Sequence, residues 1–233
     1  KGQKIASKRA DKEATEGVVI AKTNDEQNFG ALIVLNCETD FVAKNEDFIN
    51  FANQIVDVAL DSKPDDINLL KTQTLDGKTI DEALVEQIGK IGEKLDLSVY
   101  EKIQAEHVFA YIHPGNKLAT LVGFNRKIED PQVGKDFAMQ IAAMNPVSVN
   151  KEDVPEQIKE RELEIGKEQA RKEGKPENIL EKIALGKLNK FFKEATLMNQ
   201  ESVKHPKKTM RQYLDEIDKE LQVTEFKRFS LSD

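Results

Sequence analysis

A chain of 233 residues and 26.3 kDa is long enough to bury one large core or two modest ones. With 33% charged and 39% hydrophobic residues and a mean hydropathy of -0.56, it has the make-up of a cytosolic, helix-rich globular protein, and no apolar run approaches the ~20 residues of a membrane span. A single cysteine, Cys37, excludes an internal disulfide framework and a Cys-rich zinc site, and a net charge of -7 disfavours general nucleic-acid binding, whose affinity comes from phosphate neutralisation. The acid is unevenly spread: residues 18–106 hold 8 Lys and 18 Asp or Glu, whereas 151–208 hold 14 Lys or Arg against 12 acids. A cytoplasmic location is expected, with no membrane and no direct nucleic-acid partner.

The chain opens on a polar, mildly basic leader, KGQKIASKRADKEATEG, which lacks the apolar stretch of a signal peptide and reads as the tail of something removed. VVIAK (18–22) and FGALIVLN (29–36), separated by the polar TNDEQN, predict a β-hairpin. Phe48, Phe51, Ala52, Ile55 and Ala59 then recur at helical spacing behind Asn45 as cap, with Glu46 and Asp47 in the first turn. After the Pro64-Asp65-Asp66 break, Ile80, Leu84, Ile88 and Ile91 predict a second helix that weakens at Gly89 and Gly92. Strand patterns return in VYEKIQ, HVFAYI and KLATLVGFN, the last two joined at the turn His113-Pro114-Gly115-Asn116. Pro131 opens a helix with Val133, Phe137, Ile141 and Met144 on one side, ending at Asn145-Pro146.

This order repeats. ALIVLN (31–36) and TLVGFN (120–125) stand 89 residues apart, and so do Asp47-Phe48 and Asp136-Phe137, which points to two similar α+β halves. Helical stretches from Val154 to Gly174 and from Pro176 to about Asn199 flank the breaker Gly174-Lys175-Pro176 and predict an antiparallel hairpin that projects as a coiled-coil arm. Thr209 and Gln212 form a capping box before a helix through Met210, Leu214, Ile217 and Leu221, and VTEFKRF (223–229) closes as a strand. A last strand needs a sheet to join, so the arm is expected to be an insertion in the second half.

Catalytic signatures are sparse. His107, His113 and His205 have no metal-ligand spacing, and no phosphate-binding glycine motif or GxSxG is present, so neither a cofactor nor a metal is expected. Cys37 with a distant histidine could form a nucleophile pair, but it ends an apolar strand, where a packed thiol is the simpler reading. The unusual segment is NCETDFVAKNEDF (36–48), which places Phe41 and Val42 in a polar connection. Two readings are open from residue types alone. Thr39 caps a short helical turn and Phe41 folds back into the core, or Phe41 stands exposed beside a carboxylate, ready to enter a partner's pocket.

CETDFVAKNEDF closely resembles the signature segment of translation elongation factor Ts, the guanine-nucleotide exchange factor for elongation factor Tu. The resemblance extends through the leader ending in EG, the His-containing hairpin at 111–124, the helix before Asn145-Pro146, the GKP hairpin tip and the closing TEFKRF. It implies an α+β fold of two related subdomains, residues 18–106 and residues 107–153 with 200–233. A coiled-coil hairpin (154–199) is inserted in the second, and residues 1–17 are a linker left from an absent N-terminal helical domain. It also implies a non-enzymatic, cofactor-free role on GDP-bound and nucleotide-free elongation factor Tu. The partner-binding residues would be Thr39, Asp40, Phe41 and Val42, with Phe41 wedging between helices of the partner's nucleotide domain and Asp40 approaching its magnesium region. His113 and Gly115 are possible further contacts, although Pro114 and Asn116-Lys117 depart from the family's commoner glycine-rich turn. A scaffold or chaperone-like module that binds without altering nucleotide is the alternative, and a hydrolase built on Cys37 a more distant one.

Overall fold

Strands β1 (Glu16–Thr23) and β2 (Phe29–Cys37) form the expected antiparallel hairpin, with Val19 opposite Val34 and Ala21 opposite Leu32. The computed structural model describes residues 2–233; Lys1, which begins the polar leader, lies outside them. Of the residues expected to be a linker, 2–9 form helix α1 (Gly2–Arg9), whose Ile5 and Ala6 reach the core, and Glu16 and Gly17 already belong to β1. With so few apolar residues in eight, the helix has no periodic signal, and packing rather than propensity holds it.

Beyond β2 a single turn of helix, α2 (Asp40–Ala43), precedes α3 (Glu46–Ser62). Asn45 caps α3 as expected, its side chain accepting from Asp47 N and Phe48 N. The predicted stripe of Phe48, Phe51, Ala52, Ile55 and Ala59 is buried. Helix α4 (Ile67–Lys71) and the two-residue strands β3 (Thr74–Leu75) and β4 (Lys78–Thr79) lead into α5 (Ile80–Ile91). A Thr79–Glu82 capping box starts α5, and Gly92 ends it at φ +82°, a left-handed conformation that glycine adopts without steric cost. Strand β5 (Asp96–Gln104) then returns to pair with β2, giving the order β1-β2-β5.

The second sheet is built alike. Strands β6 (His107–Ile112) and β7 (Leu118–Phe124) form a hairpin, helix α6 (Pro131–Met144) follows, and β8 (Val223–Ser230) pairs with β7 in the order β6-β7-β8. The two sheets meet face to face through Val19, Ala21, Leu32 and Val34 on one side and Val108, Ala119 and Leu121 on the other. The opposite face of the first sheet, with Val18, Ile20, Ile33 and Leu35, is covered by α3 and α5. On the outer face of the second, Phe124 meets Phe137 of α6 edge to face and Thr120 Oγ1 donates to Ala138 O. The fold is therefore α+β with small antiparallel sheets.

The chain divides into two compact units: residues up to Ala142 together with Val223–Asp233, and Ala143–Gln222. Within the second unit, α7 (Glu156–Lys172) and α8 (Leu180–Ala195) pack antiparallel, Gly166 against Ala184, around a turn in which Gly174 takes φ +74°. Helix α9 (Met210–Ile217) carries the Thr209–Gln212 capping box. It stops sooner than the apolar pattern suggests: Asp218 turns extended, and Leu221 is buried in the following turn rather than on the helix. Met144, expected on the buried side of α6, is 44% exposed at the helix end.

His107 locks the base of the second sheet. Its Nδ1 accepts from Ile128 N at 2.9 Å, which puts the proton on Nε2, 3.3 Å from Gln27 Oε1. Burial, and then the nearby charge of Lys127, pushes its pKa below the ordinary 6.5. The unfolded chain therefore binds the proton more readily, so this contribution to stability is present above pH 6.5 and is lost as pH falls through it. The urea midpoint should fall between about pH 8 and about pH 5, and the fall should be smaller in His107→Gln.

Glycines test the packing. A Cβ on Gly134 of α6 would lie 2.3 Å from the Phe109 ring, whereas one on Gly186 of α8 would meet open space. Gly134→Ala should destabilise the protein by ~1–3 kcal/mol through overpacking. Gly186→Ala should stabilise it by up to ~1 kcal/mol through helix propensity. Equilibrium denaturation of both variants checks the contrast.

Candidate functional site

Where β2 ends, backbone amides leave the sheet and need new acceptors. Glu93, just past the Gly92 cap of α5, supplies them: its Oε2 accepts from Glu38 N and Thr39 N, both at 3.1 Å. Its Oε1 accepts from the Thr39 hydroxyl at 2.7 Å. Glu38 answers in the other direction, its Oε1 accepting from Lys94 N at 2.7 Å and its Oε2 from the Arg9 guanidinium at 3.1 Å. The Cys37 thiol donates to Thr39 O at 3.2 Å. Thr39 is thus tied through its amide, hydroxyl and carbonyl, and its Oγ1 also accepts the Val42 amide as cap of α2.

That anchoring decides where the next side chains go. Ala43 is buried in the core and Val42 packs against it, which turns Phe41 outward on the same helical turn. The ring is 82% exposed, the largest value among the exposed large hydrophobic residues described. Of the two readings open from the sequence, Thr39 does cap the turn, but Phe41 does not fold back into the core. Asp40 pairs with Lys44 at 2.7 Å on the surface, and this hydrogen bond, with the lysine's charge, holds its carboxyl below the usual range.

The His113 turn lies at the same end of this unit. Asn116 O accepts from Val19 N at 2.7 Å, and Lys117 pairs with Glu16, the residue opposite Cys37 in the hairpin. His113 is exposed, its Nδ1 2.9 Å from the Tyr111 hydroxyl, and Gly115 is exposed at φ +94°. The sequence brought Thr39–Val42 and the turn to notice separately. It did not point to Glu93 or Arg9, which lie far along the chain from the residues they hold and carry no short motif, and although Glu38 stands inside the signature segment its contacts with Lys94 and Arg9 were not foreseen.

Comparison with known proteins gives this arrangement a family. The family model described as Elongation factor TS matches residues 38–233. The chain belongs to the elongation factor Ts family. It is 48% identical over 232 residues to an elongation factor Ts from Azobacteroides pseudotrichonymphae, covering 100% of this chain and 84% of the relative. It is 49% identical over 233 residues to one from Porphyromonas gingivalis, with the same coverage. A third, from Amoebophilus asiaticus, is 52% identical over 230 residues, covering 98% of this chain and 83% of the relative. Among the described residues, no helix is long and apolar enough to cross a membrane.

Cys37 has the character of a packed thiol. Burial, reinforced by the Glu93 carboxylate, pushes its pKa up to about 12, so the nucleophilic thiolate is scarce at neutral pH. In the folded chain Cys37 should resist a disulfide-exchange reagent for the time in which the urea-unfolded chain is labelled completely, as followed by release of the reagent's chromophore. Rapid labelling of the folded chain would contradict this environment.

Proposed function

We propose that this chain is a guanine-nucleotide exchange factor for elongation factor Tu, acting in translation elongation without covalent chemistry and without a cofactor of its own. In this reading Phe41 wedges between helices of the partner's nucleotide domain while Asp40, ionised and paired with Lys44, approaches its magnesium region. Displacing those helices disturbs the magnesium and phosphate site, and magnesium neutralises the phosphates of bound GDP, so GDP leaves faster. The observation that carries the reading is the exposure of Phe41 on a turn whose cap residue is tied down.

Two partner states follow. The factor binds the nucleotide-free form in preference to the GDP-bound form, and by linkage nucleotide weakens the factor's hold by the ratio in which the factor weakens the nucleotide's. Phe41 cannot supply the whole effect. Burying one Phe is worth ~1.5–3 kcal/mol, and each decade in an equilibrium needs ~1.4 kcal/mol, so the ring accounts for one or two decades. Further contacts are assigned to His113 and Gly115. The α7–α8 hairpin is taken as a coiled-coil arm over 154–199, inserted between the parts of a second subdomain, 107–153 and 200–233. Residues 18–106 form the first subdomain.

Phe41→Ala should still bind elongation factor Tu but slow the release of GDP at least several-fold. Stopped-flow fluorescence of labelled GDP on the partner measures this directly. Binding with no acceleration by the unaltered chain would favour a scaffold instead, and an unchanged rate for the variant would remove Phe41 from the mechanism.

A further inference from the structure

We propose that Glu93 is a positioning residue for nucleotide exchange: it never meets the partner's nucleotide, and it sets the direction in which Phe41 is presented. This rests on the reading that Phe41 acts on the partner. The Glu93 carboxylate gathers three donors, the amides of Glu38 and Thr39 and the Thr39 hydroxyl, from the two residues that immediately precede α2. Glu38 returns the contact by accepting the Lys94 amide, so 38–39 and 93–94 clamp one another through paired carboxylates. The Arg9 guanidinium closes the second oxygen of Glu38.

The geometry makes Thr39 the pivot. Its hydroxyl donates to Glu93 and accepts, at 3.4 Å, from Val42 N, so one hydrogen-bonded atom joins the carboxylate to the helical turn that carries the ring. Hydroxyl hydrogens rotate to suit their partners, and an acceptor on Glu93 leaves the oxygen lone pairs facing α2. Without that acceptor the amides of Glu38 and Thr39 turn to water, and the four-residue helix, too short to persist alone, loses its fixed start. Phe41 would then sample many directions, and in the bound complex the ring would occupy the productive one for a smaller fraction of the time.

The test measures maximal GDP release from elongation factor Tu at saturating factor, which separates presentation of the ring from simple affinity. Glu93→Ala should slow it at least about threefold, Glu93→Gln, which retains one acceptor oxygen, should fall between Ala and the parent, and Thr39→Val should resemble Glu93→Ala. Amide hydrogen exchange over residues 40–43 should quicken in Glu93→Ala while exchange in the core of α3 stays unchanged. A double variant, Phe41→Ala with Glu93→Ala, should be no slower than Phe41→Ala alone, because Glu93 acts through the ring. Slowing in the double variant by the product of the two single effects overturns the proposal. So does a parental rate for Glu93→Ala when Phe41→Ala is slow. Should Glu93→Ala fail to fold, a parental rate for Thr39→Val overturns it equally. If Phe41→Ala itself releases GDP at the parental rate, the exchange reading falls and the positioning role falls with it.

Discussion

All nine residues of β2, Phe29 to Cys37, are buried, and the layering of the larger unit follows from burying both faces of that strand. Ala31, Ile33 and Leu35 face the helices α3 and α5, while Leu32 and Val34 face the second sheet. Successive side chains of a strand point to opposite faces, so a strand with no polar alternation is stable only as an inner layer. Register is tightly specified by the same fact. A slip of one residue would exchange the two faces, and Gly30 would give way to a larger residue whose Cβ would stand 2.8 Å from Val108 and 2.9 Å from Leu121.

A strand held on both faces delivers its end to a fixed place, and the site uses that end. Cys37 is the last residue of the strand; after it, Glu38 and Thr39 have amides to satisfy and no neighbouring strand to satisfy them. Leaving Phe41 in water forgoes ~1.5–3 kcal/mol of burial. Hydrogen bonds to a charged carboxylate contribute roughly 1.5–3 kcal/mol each, so the contacts of Glu93 with Glu38 and Thr39 are of the size needed to offset that loss. Val42 and Ala43, turned inward, keep the apolar attachment of the turn. Exposure of the ring is thus the cost of a local arrangement that the surrounding bonds over-determine, and a rigid exposed aromatic is suited to entering another protein's packed interior.

Local signals made much of this legible. The hairpins, the stripe and cap of α3, the capping box at Thr209 and the glycine and proline of the α7–α8 turn all express themselves within a few residues. The peculiarity of Phe41 and Val42 was visible because apolar residues stood where a connection should be polar. Its resolution was not, because the choice between an inward and an outward ring depends on Glu93, an ordinary glutamate after a glycine, 54 residues from Thr39. Helix α1 escaped notice for a related reason: two apolar residues in eight make no period, and its place is set by the close approach of Gly2 to Gly89. Leu221 misled in the opposite sense, continuing the apolar spacing of α9 after Asp218 had already ended the helix.

The second sheet shows that the exposed ring is not a consequence of the topology. Eighty-nine residues beyond Thr39–Val42 stand Ile128, Glu129, Asp130 and Pro131, in the corresponding connection between β7 and α6. There the amide of Ile128 is taken by the buried imidazole of His107, the Ile128 side chain is 6% exposed, and Pro131 starts the helix at once. The same passage from central strand to covering helix is closed in one copy with an apolar residue inward, and opened in the other, over the same number of residues, by a separate helical turn with an aromatic outward. Asp47-Phe48 and Asp136-Phe137 nevertheless occupy matching places, and both phenylalanines are buried. The fold therefore needs the second phenylalanine of the first connection, Phe48, and has no use for the first, Phe41. A large apolar side chain that its own protein does not pack, on a turn whose start is held by several hydrogen bonds, is left available for contact with another molecule.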